Sequence, residues 1–359
     1  MKKKILFISP YPHGIGPSQR FRFEQYLDFL SEYFDCNQQT FWDKRAWDVL
    51  FKEGKVVAKF YFLIRAFFSR IILLFSISKY DLIFIHREMA HIGPPIFEWF
   101  VAKILKKNIV YDFDDAIWNL NYSNKNPLVK YFKATWKVAK ICKWATAVSC
   151  GNQYLSNFAK QYNKQVFIIP TTIDTNYHQN IDNNEHKLTI GWTGTLTTLK
   201  HINVILPVLR KLEKKYDFDF RVIANDKPQL QLDCLEYVKW KKESEIEDLS
   251  VIDVGLMPLP NEEWEKGKCG FKGLQYMALS IPTVMSPVGV NNEIIRDGEN
   301  GFLASSENEW IDKISQLIES KTLREKLGKA GRRTVVDTFS VEANKQKYLD
   351  LFNFVLSVR

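Results

Sequence analysis

Short apolar runs alternate with amphipathic stretches along most of the chain. The runs are four to seven residues long, which is typical of strands buried on both faces of a parallel sheet. They predict strands at residues 4–8, 82–85, 108–111, 145–148, 166–169, 188–191, 220–223, 251–257 and 282–285. Apolar residues recur at helical spacing at residues 20–33, 202–216, 271–279, 309–331 and 341–358. Strands that alternate with helices predict an α/β fold with parallel sheets.

A polar segment divides this series into two. Residues 171–186 carry few apolar side chains and predict a linker between an N-terminal domain at 1–170 and a C-terminal domain at 187–338. We therefore expect two Rossmann-like parallel-sheet domains that face each other across a cleft, with the helix at 339–359 packing back on the N-terminal domain. Ligands of such sheets bind beyond the carboxyl ends of the strands.

Composition and charge narrow the possible partners. The 359 residues are 46% hydrophobic and 25% charged, which excludes a disordered or collagen-like chain. Residues 1–185 hold 25 Lys and Arg against 16 Asp and Glu, whereas residues 186–359 hold 25 of each kind. The whole excess of +9 lies in the first half and favours an anionic partner there: nucleic acid, an anionic membrane or a phosphorylated substrate. The sequence contains no nucleic-acid-binding motif, so we expect no nucleic acid as a partner.

The segment at 55–79 is basic, aromatic and very apolar. It is either an interfacial helix on an anionic membrane, with Arg65 and Arg70 at the contact, or one or two helices buried against the sheet. A second basic stretch lies at 125–143. No uncharged apolar run approaches a membrane-spanning length, and the apolar start is too short for a signal peptide, so we expect neither. Five irregularly spaced cysteines indicate reduced thiols in a cytoplasmic protein.

A glycine-containing loop at 267–270 leads into a helix and then into the strand at 282–285. The start of a helix presents unpaired N–H groups and a partial positive charge, which suit a diphosphate. The alternative interpretation is a plain loop followed by a core helix. The candidate ligands are the side chains of Lys268 and Lys272 and the backbone N–H groups of Lys268, Cys269, Gly270 and Phe271.

This segment resembles the donor-binding motif of retaining glycosyltransferases of the GT-B fold, family 4. The family pattern is a Glu, seven residues, a second Glu, an Ala-Met-Ala-like helix and a Gly-x-Pro-Val-Val strand. Residues 252–259, 291–303 and 332–340 also resemble the family. The resemblance implies two domains of the GT-B fold, a donor sugar linked to UDP or GDP, and catalysis without a bound metal or other cofactor.

The residues of the family motif map onto this chain imperfectly. Gln275 stands where the second Glu holds the ribose hydroxyls, and Gly267 where the first Glu contacts the donor sugar. Lys200 matches a lysine that neutralises the donor diphosphate, Gly194 replaces the arginine that assists it, and Thr195 lies in the same donor loop. A solvated Lys200 near a helix start is the alternative interpretation. The candidates for the missing cation are Lys268, Lys272 and Arg20.

The N-terminal candidates are a glycine loop and an acidic cluster. Gly14 and Gly16 match a family loop that lets the backbone approach the reacting centre, and Arg20 follows at a helix start, where a cation is unfavourable without an anion. Asp114 stands where many family members have an active-site His, which implies a catalytic carboxylate facing the acceptor hydroxyl or the sugar ring. The alternative at the loop is a surface turn with two arginines, Arg20 and Arg22. The alternatives at the acidic cluster are helix capping by Asp114 or Asp115 and a metal site formed by Asp112, Asp114 and Asp115.

The resemblance implies a transferase that moves a sugar from a nucleotide-diphosphate donor to an acceptor hydroxyl with retention. Lys200 and Asp114 are the predicted catalytic residues, and assembly of a cell-surface polysaccharide or lipid-linked glycan is the predicted process. A lipid-diphosphate-linked acceptor would explain the basic and apolar first half, and it predicts a protein peripheral to the inner face of the cell membrane. The alternatives are a nucleotide-sugar epimerase of the same fold and a non-catalytic partner of an active transferase.

Overall fold

The chain divides into two units. The computed structural model describes residues 1–50, 52, 54–119, 134–181 and 186–358. The N-terminal unit comprises Met1–Thr171 and Asn344–Arg359, and the C-terminal unit comprises Thr172–Ala343. The first part of the basic stretch predicted at 125–143 lies outside the described residues, which resume at Ala134.

A six-stranded parallel sheet forms the centre of the N-terminal unit. The described elements are β1 (Lys4–Ser9), α1 (Pro17–Arg22), α2 (Leu27–Tyr33), β2 (Asp35–Thr40), α3 (Lys44–Leu50), α4 (Val56–Ser76), β3 (Leu82–His86), α5 (Ile96–Trp99), β4 (Asn108–Phe113), α6 (Lys137–Trp144), β5 (Ala147–Cys150), α7 (Gln153–Ala159) and β6 (Val166–Ile168). The strand order is β2-β1-β3-β4-β5-β6, and all neighbours pair in parallel. This is the order of a doubly wound sheet, whose ligands bind at the carboxyl ends of the strands.

The C-terminal helix, Val341–Ser357, completes the core of the N-terminal unit. The ring of Phe352 lies 5.9 Å from the rings of Phe7 on β1 and Phe84 on β3. Tyr348, one turn earlier, donates its hydroxyl to the carbonyl of Arg22 at 2.6 Å. These contacts bury the apolar face of the last helix and explain why residues 344–359 belong to this unit.

The helix α4 is apolar on its outer face as well as on the face that packs on the unit. Its buried residues Ala66, Arg70 and Leu73 form a stripe at helical spacing. The Arg70 guanidinium donates to the carbonyl of Met89 at 2.7 Å, so Arg70 is a buried part of the fold and the prediction that it lies at a surface contact is wrong. By length and composition alone, the segment Val56–Lys79 could cross a membrane. It was not predicted as a span because charged residues interrupt its apolar run.

A second six-stranded parallel sheet forms the centre of the C-terminal unit. Its elements are β7 (Thr189–Gly194), α8 (Leu206–Leu212), β8 (Asp219–Ala224), β9 (Leu235–Lys239), α9 (Glu245–Ser250), β10 (Val254–Met257), α10 (Glu263–Lys266), α11 (Phe271–Ala278), β11 (Thr283–Met285), α12 (Asn291–Ile294), β12 (Phe302–Leu303), α13 (Glu307–Glu319) and α14 (Lys321–Thr334), after which α15 is the C-terminal helix. A 3-10 segment, Leu196–Val204, follows β7. The strand order is β12-β11-β10-β7-β8-β9.

Close backbone approach fixes α11 against this sheet. A Cβ on Gly255 of β10 would lie 2.4 Å from the ring of Tyr276 on α11, so only a glycine allows this packing. The Tyr276 hydroxyl accepts a hydrogen bond from the backbone N–H of Thr193 at 2.8 Å. The start of α11 and the carboxyl end of β7 are thereby held in one rigid arrangement.

The predicted fold class is confirmed, because both sheets are parallel, six-stranded and flanked by helices. Each predicted strand overlaps an observed one.

The structure differs from the prediction in three strands and two helices. The strands β2, β9 and β12 were not predicted, and the predicted helix at 20–33 is interrupted at Phe23 by a 3-10 turn. The predicted helix at 202–216 begins as 3-10, and the α-helix starts anew at Leu206 with Pro207 in its first turn. Proline has no N–H for a bond to the preceding turn, which explains the new start.

Candidate functional site

The end of β7 shows why a glycine stands at position 194. The Trp192 side chain is buried beside it, and a Cβ on Gly194 would lie 2.3 Å from the indole ring. An arginine therefore does not fit at this position unless Trp192 moves. Thr195 follows as the N-cap of the 3-10 segment, and its hydroxyl and that of Thr198 form a capping box. Thr195 thus has a structural role in the loop, independently of its predicted contact with the donor.

Lys200 and His201 on this 3-10 segment meet a buried carboxylate of α10. The Oε1 atom of Glu265 lies 3.2 Å from Nε2 of His201 and 3.9 Å from Nζ of Lys200. Among the described residues, Oε2 of Glu265 and Nδ1 of His201 are buried without a hydrogen-bond partner. The Lys200 side chain is half exposed, so its ammonium group is accessible to a ligand on one side and contacts the buried Glu265 carboxylate on the other.

Positive charge concentrates around this cluster. Burial and the nearby charges of Lys272, Lys268 and Lys200 lower the pKa of His201 to about 3, so its imidazole is neutral at pH 7. Burial also raises the pKa of Glu265, against the opposite effect of Lys200. Three lysines that all act on one imidazole at the carboxyl end of β7 form a site suited to a polyanion.

Two tryptophans position the lysines near α11. The Nζ of Lys272 lies 5.4 Å from the ring centroid of Trp192, and the Nζ of Lys268 lies 5.1 Å from that of Trp264. Cation–π attraction favours both arrangements. Gly270 precedes α11 with φ +69°, a left-handed conformation that favours glycine. The structure thus places the predicted residues in one loop and helix start: Lys268, Cys269, Gly270, Phe271 and Lys272.

Gln275, the predicted ribose contact, lies one turn further along α11 and is buried. Its Nε2 atom is 3.4 Å from Nε2 of His178, which is also buried. Arg332 on α14 donates to the carbonyl of His178 at 2.9 Å and so holds that segment against α11. Gln275 is therefore engaged with its own unit, and its contact with a ribose stays a prediction.

The glycine loop of the N-terminal unit is shaped by two close contacts. Gly14 has φ +73° and donates its N–H to Oε2 of Glu24 at 2.9 Å. A Cβ on Gly16 would lie 2.6 Å from the ring of Tyr11, so the backbone passes directly over that ring. Arg20 is nearly buried, and its guanidinium lies 4.9 Å from the Phe21 ring centroid. Both glycines are required by the loop itself, whatever ligand the loop receives.

A buried ion pair joins α1 to the carboxyl ends of β3 and β4. The Arg22 side chain donates to both carboxylate oxygens of Asp112, with Nε 3.3 Å from Oδ2, and neither side chain is exposed. The Nδ1 atom of His86 lies 2.8 Å from the same Oδ2. Burial alone would raise the pKa of Asp112, but Arg22 and His86 bring it below its usual range.

Ser18 connects this pair to a second one. Its Oγ atom lies 2.8 Å from Nε2 of His86 and donates to Oδ1 of Asp114 at 2.6 Å. The Nη2 atom of Arg87 lies 2.7 Å from Asp114 and also contacts Asp115. The side chains form one continuous chain of contacts at the edge of the sheet: Arg22, Asp112, His86, Ser18, Asp114, Arg87 and Asp115.

The proton count of this chain fixes the charge of His86. Ser18 has one hydroxyl proton, and it donates that proton to Asp114. The Nε2 atom of His86 must then donate to Ser18, while Nδ1 donates to Asp112, so the imidazole carries two protons and a positive charge. Three cations and three carboxylates therefore balance within the network, which explains how so many charges stay at a largely buried edge.

Asp114 is strongly acidic in this network. Burial would raise its pKa, but Arg87 and His86 hold it well below the usual range. Such a carboxylate stays ionised at neutral pH and is a weak base, so it could act on a substrate only through its charge. Its predicted role at the acceptor stays a prediction. Within the described residues no three or more His, Cys, Asp or Glu side chains are arranged to hold a metal ion.

Three residues of these clusters escaped the sequence interpretation: Glu265, His201 and Trp192. Arg22 and Asp112 were noticed as a cation at a helix start and as part of the acidic cluster, but their pairing was not predicted. Glu265 and His201 are 64 positions apart, and no local pattern connects them. The role of Trp192 could have been predicted. A large aromatic residue two positions before an unexpected glycine indicates that its ring fills the space of the missing side chain.

Glu265→Gln is expected to show a specific pH dependence of stability. Because the folded protein raises the pKa of Glu265, wild type should lose stability relative to the variant as the pH rises above about 4.3, the ordinary Glu value. Glu309→Gln is the control with the opposite pH dependence. Hydrogen bonds from Ser305 and Ser306 lower the pKa of Glu309 to about 2, so wild type should gain stability on this variant as the pH rises from about 2 to about 4.3, and should gain no more above that. Melting temperatures between pH 2 and pH 8 test both, and parallel curves for the two variants would contradict the expectation.

The C-terminal unit matches a known protein family. Residues 187–320 match the family model "Glycosyl transferases group 1". A segment of 205 residues is 26% identical to an uncharacterized glycosyltransferase of Methanocaldococcus jannaschii, covering 53% of this chain and 56% of that protein. A shorter segment of 72 residues is 33% identical to trehalose synthase of Thermococcus litoralis, covering 20% of this chain and 18% of that enzyme. The chain thus spans less than three fifths of the length of these relatives.

Solved structures share the fold over nearly the whole chain. Sucrose-phosphate synthase from Thermosynechococcus elongatus superposes with a TM-score of 0.74 at 13% identity, covering 99% of this chain and 100% of that one. HepE of Anabaena, in complex with UDP and glucose, superposes with a TM-score of 0.70 at 15% identity, covering 98% of this chain and 100% of that one. The fold predicted from the sequence resemblance is therefore confirmed.

Proposed function

We propose that this chain, whose residues 187–320 form a glycosyl transferases group 1 domain, transfers a sugar from a nucleoside-diphosphate sugar to an acceptor hydroxyl. The observation that carries the proposal is the arrangement of Lys200 beside Glu265 and of Lys272 at the start of α11, where its ammonium group lies over the ring of Trp192 from β7. Anions bind where a parallel sheet ends and a helix begins. A similarly folded protein, HepE of Anabaena, was solved with UDP-glucose, which supports a nucleotide sugar, linked to UDP or GDP, as the donor.

The proposed chemistry rests on neutralising the leaving diphosphate. Cleavage of the donor bond leaves negative charge on the diphosphate, and fixed cations that meet this charge lower the barrier. Lys200 is held by Glu265, and Lys272 rests on the Trp192 ring that excludes an arginine from position 194. Lys272 would thus take the part of the missing arginine, with Lys268 beside it.

We propose that the sugar is transferred with retention and without a metal ion. A double displacement would need a carboxylate nucleophile at the sugar, with a second carboxyl group about 5–5.5 Å away. Of the carboxylates near the lysine cluster, Glu265 is fully buried and contacts His201, so it is not free to attack the sugar. A displacement in which the acceptor attacks on the same face as the leaving diphosphate fits this arrangement better. Retention is tested by the anomeric configuration of the product, read by NMR, and an inverted product would contradict it.

The acceptor that we propose is lipid-diphosphate-linked, as in the assembly of a cell-surface polysaccharide or lipid-linked glycan. The excess positive charge of residues 1–185 supports an anionic acceptor on the N-terminal unit. Such an acceptor would keep the protein at the cytoplasmic face of an anionic membrane, as a peripheral protein.

Thermal stabilisation by nucleotide sugars tests the donor proposal. A ligand at about 100 times its Kd stabilises the folded state by about 2.7 kcal/mol. A panel of UDP- and GDP-sugars should therefore contain one that raises the melting temperature, and the purified chain should cleave that donor. A donor epimerised at the sugar without any acceptor would instead show an epimerase. Binding without cleavage, with or without a glycan acceptor, would indicate a non-catalytic partner.

Gln275→Glu is expected to tighten nucleotide binding several-fold. A carboxylate forms a stronger hydrogen bond to a ribose hydroxyl than an amide does. The two side chains have the same shape. The Gln275 amide donates to Nε2 of His178 at 3.4 Å, while Nδ1 of His178 faces the carbonyl of Asp174, so the new carboxylate requires Nε2 to take up a proton. Titration calorimetry with the stabilising nucleotide measures the change, and Gln161→Glu in the N-terminal unit is the matched control. Binding weakened tenfold or more would show that Gln275 does not face the ribose.

A further inference from the structure

Large apolar side chains cover the outer face of α4. Nine of them are between 45% and 84% exposed: Val56, Val57, Phe60, Tyr61, Ile64, Phe68, Ile71, Ile72 and Phe75. Most lie on one stripe with spacings of three and four residues, so they share a side of the helix. Water-exposed monomer surfaces rarely carry a contiguous apolar patch of this kind, which indicates a partner for the outer face.

The opposite face ties α4 to the N-terminal unit. Ala66, Arg70 and Leu73 are buried, and Arg70 donates to the carbonyl of Met89 at 2.7 Å. A helix that crossed a bilayer would have to leave this packing and carry Arg70 into the hydrocarbon, which is costly. The partner must therefore approach α4 from the outside, while the helix stays on the protein.

The helix α5 packs beside α4. Phe97 contacts Phe67 of α4, with 6.1 Å between the ring centroids. Next to Phe97, Ile96 and Trp99 are exposed and line a groove with Trp136 and Trp144. Tryptophan prefers the boundary between lipid headgroups and hydrocarbon, so an exposed tryptophan elsewhere on this unit agrees with a lipid partner.

Charge decides the kind of partner. Residues 52–107 hold ten Lys and Arg against four Asp and Glu. Lys55 and Lys59 lie at the start of α4, on the side of the helix that continues into the buried Ala66 and Arg70, and Arg65, paired with Asp43, is half exposed. The net positive charge of this region beside an apolar face fits an anionic surface, whereas two copies of this chain paired through α4 would bring like charges together.

We propose that the outer face of α4 is the surface on which the N-terminal unit lies against an anionic lipid bilayer. The helix axis lies in the plane of the membrane, with its exposed apolar side chains among the acyl chains and the basic residues around it attracted to the headgroups. This surface rests on the proposed function in one respect, the location of the protein at a membrane. Binding to the bilayer does not depend on catalysis.

Vesicle flotation tests the proposal with the full-length protein. Wild type should bind vesicles of phosphatidylcholine and phosphatidylglycerol, bind pure phosphatidylcholine vesicles weakly, and lose most binding at high salt. The triple variant Phe60→Gln, Phe68→Gln, Phe75→Gln should bind anionic vesicles at least tenfold more weakly. These three side chains are exposed, so folding should be retained, and an unchanged melting temperature checks this.

Matched variants separate the possible outcomes. Lys55→Glu with Lys59→Glu should also abolish binding, whereas Tyr177→Gln with Val336→Gln, exposed apolar residues of the C-terminal unit, should not change it. The proposal is overturned if wild type ignores anionic vesicles, if the triple variant binds as wild type does, or if wild type forms a dimer that the triple variant loses. Nucleotide binding is measured on every variant, so a failed donor proposal and a failed membrane proposal give different results.

Discussion

Replacing Lys200 with alanine is expected to lower turnover of the nucleotide-sugar donor by roughly 10²–10³-fold, the scale of one lost charge contact to a developing anion. The lysine is half exposed and is held from behind by the buried carboxylate of Glu265. Gly194 supplies no second cation on the same loop, because the Trp192 ring occupies the space. Lys272 and Lys268 should sustain the remaining activity, since both lie near enough to act on His201.

Turnover and nucleotide affinity should both be measured for this variant. A loss confined to turnover would place Lys200 at the charge that develops as the bond breaks, whereas a loss confined to affinity would indicate uniform binding of the diphosphate. Lys211→Ala is the control, since Lys211 is an exposed lysine of the same unit that pairs with Glu307. Turnover within about threefold of wild type, well below the effect of a lost transition-state contact, would show that another residue carries the charge.

Asp112→Ala is expected to destabilise the N-terminal unit by about 3–5 kcal/mol, because it leaves a buried guanidinium without its carboxylate. Arg22 donates to both oxygens of Asp112, and His86 donates to one of them. The substitution would therefore leave two cations facing each other in a buried site. Urea unfolding of the full-length protein, monitored by tryptophan fluorescence, measures the loss.

The control for this variant is the exposed pair between Arg65 and Asp43. Their side chains are 50% and 40% exposed, and Asp43 also accepts the N–H of Ala46 at the start of α3, so Asp43→Ala should cost about 1–2 kcal/mol. Nucleotide binding by the C-terminal unit should be unchanged in both variants, which separates local destabilisation from global unfolding. Equal losses for Asp112→Ala and Asp43→Ala would contradict the role assigned to the buried pair.

The elements whose apolar residues follow a local pattern along the chain could be predicted from the sequence. Strands such as β1 and β3 are buried on both faces and therefore appear as continuous apolar runs. The edge strand β2 has the sequence Asp-Cys-Asn-Gln-Gln-Thr and alternates between exposed and half-buried residues, so it has no apolar signature. The start of α11 was predictable because glycine and lysine mark it locally.

The charge networks could not be predicted in the same way. The Asp112 carboxylate meets Arg22 across 90 positions, and His86 meets Ser18 across 68. Only the order of strands in the sheet brings these residues to one edge, and the sequence does not state that order. Asp114 was identified as a functional candidate and residues 86–88 as neighbours of the same site, but the contact by which Arg87 sets the acidity of Asp114 was not predicted. A residue's chemistry depends on partners that the fold supplies.

The contact between Gly194 and Trp192 also couples two positions in evolution. An arginine introduced at 194 would clash with the buried ring, and a smaller residue introduced at 192 would leave a cavity and remove the surface on which Lys272 rests. Each single change is unfavourable, although a chain with both changes would have room for an arginine beside Lys200. A single substitution therefore cannot add a cation at position 194 without a loss of stability. Single substitutions near Lys268 and Lys272 can change the charge of the proposed donor site more readily.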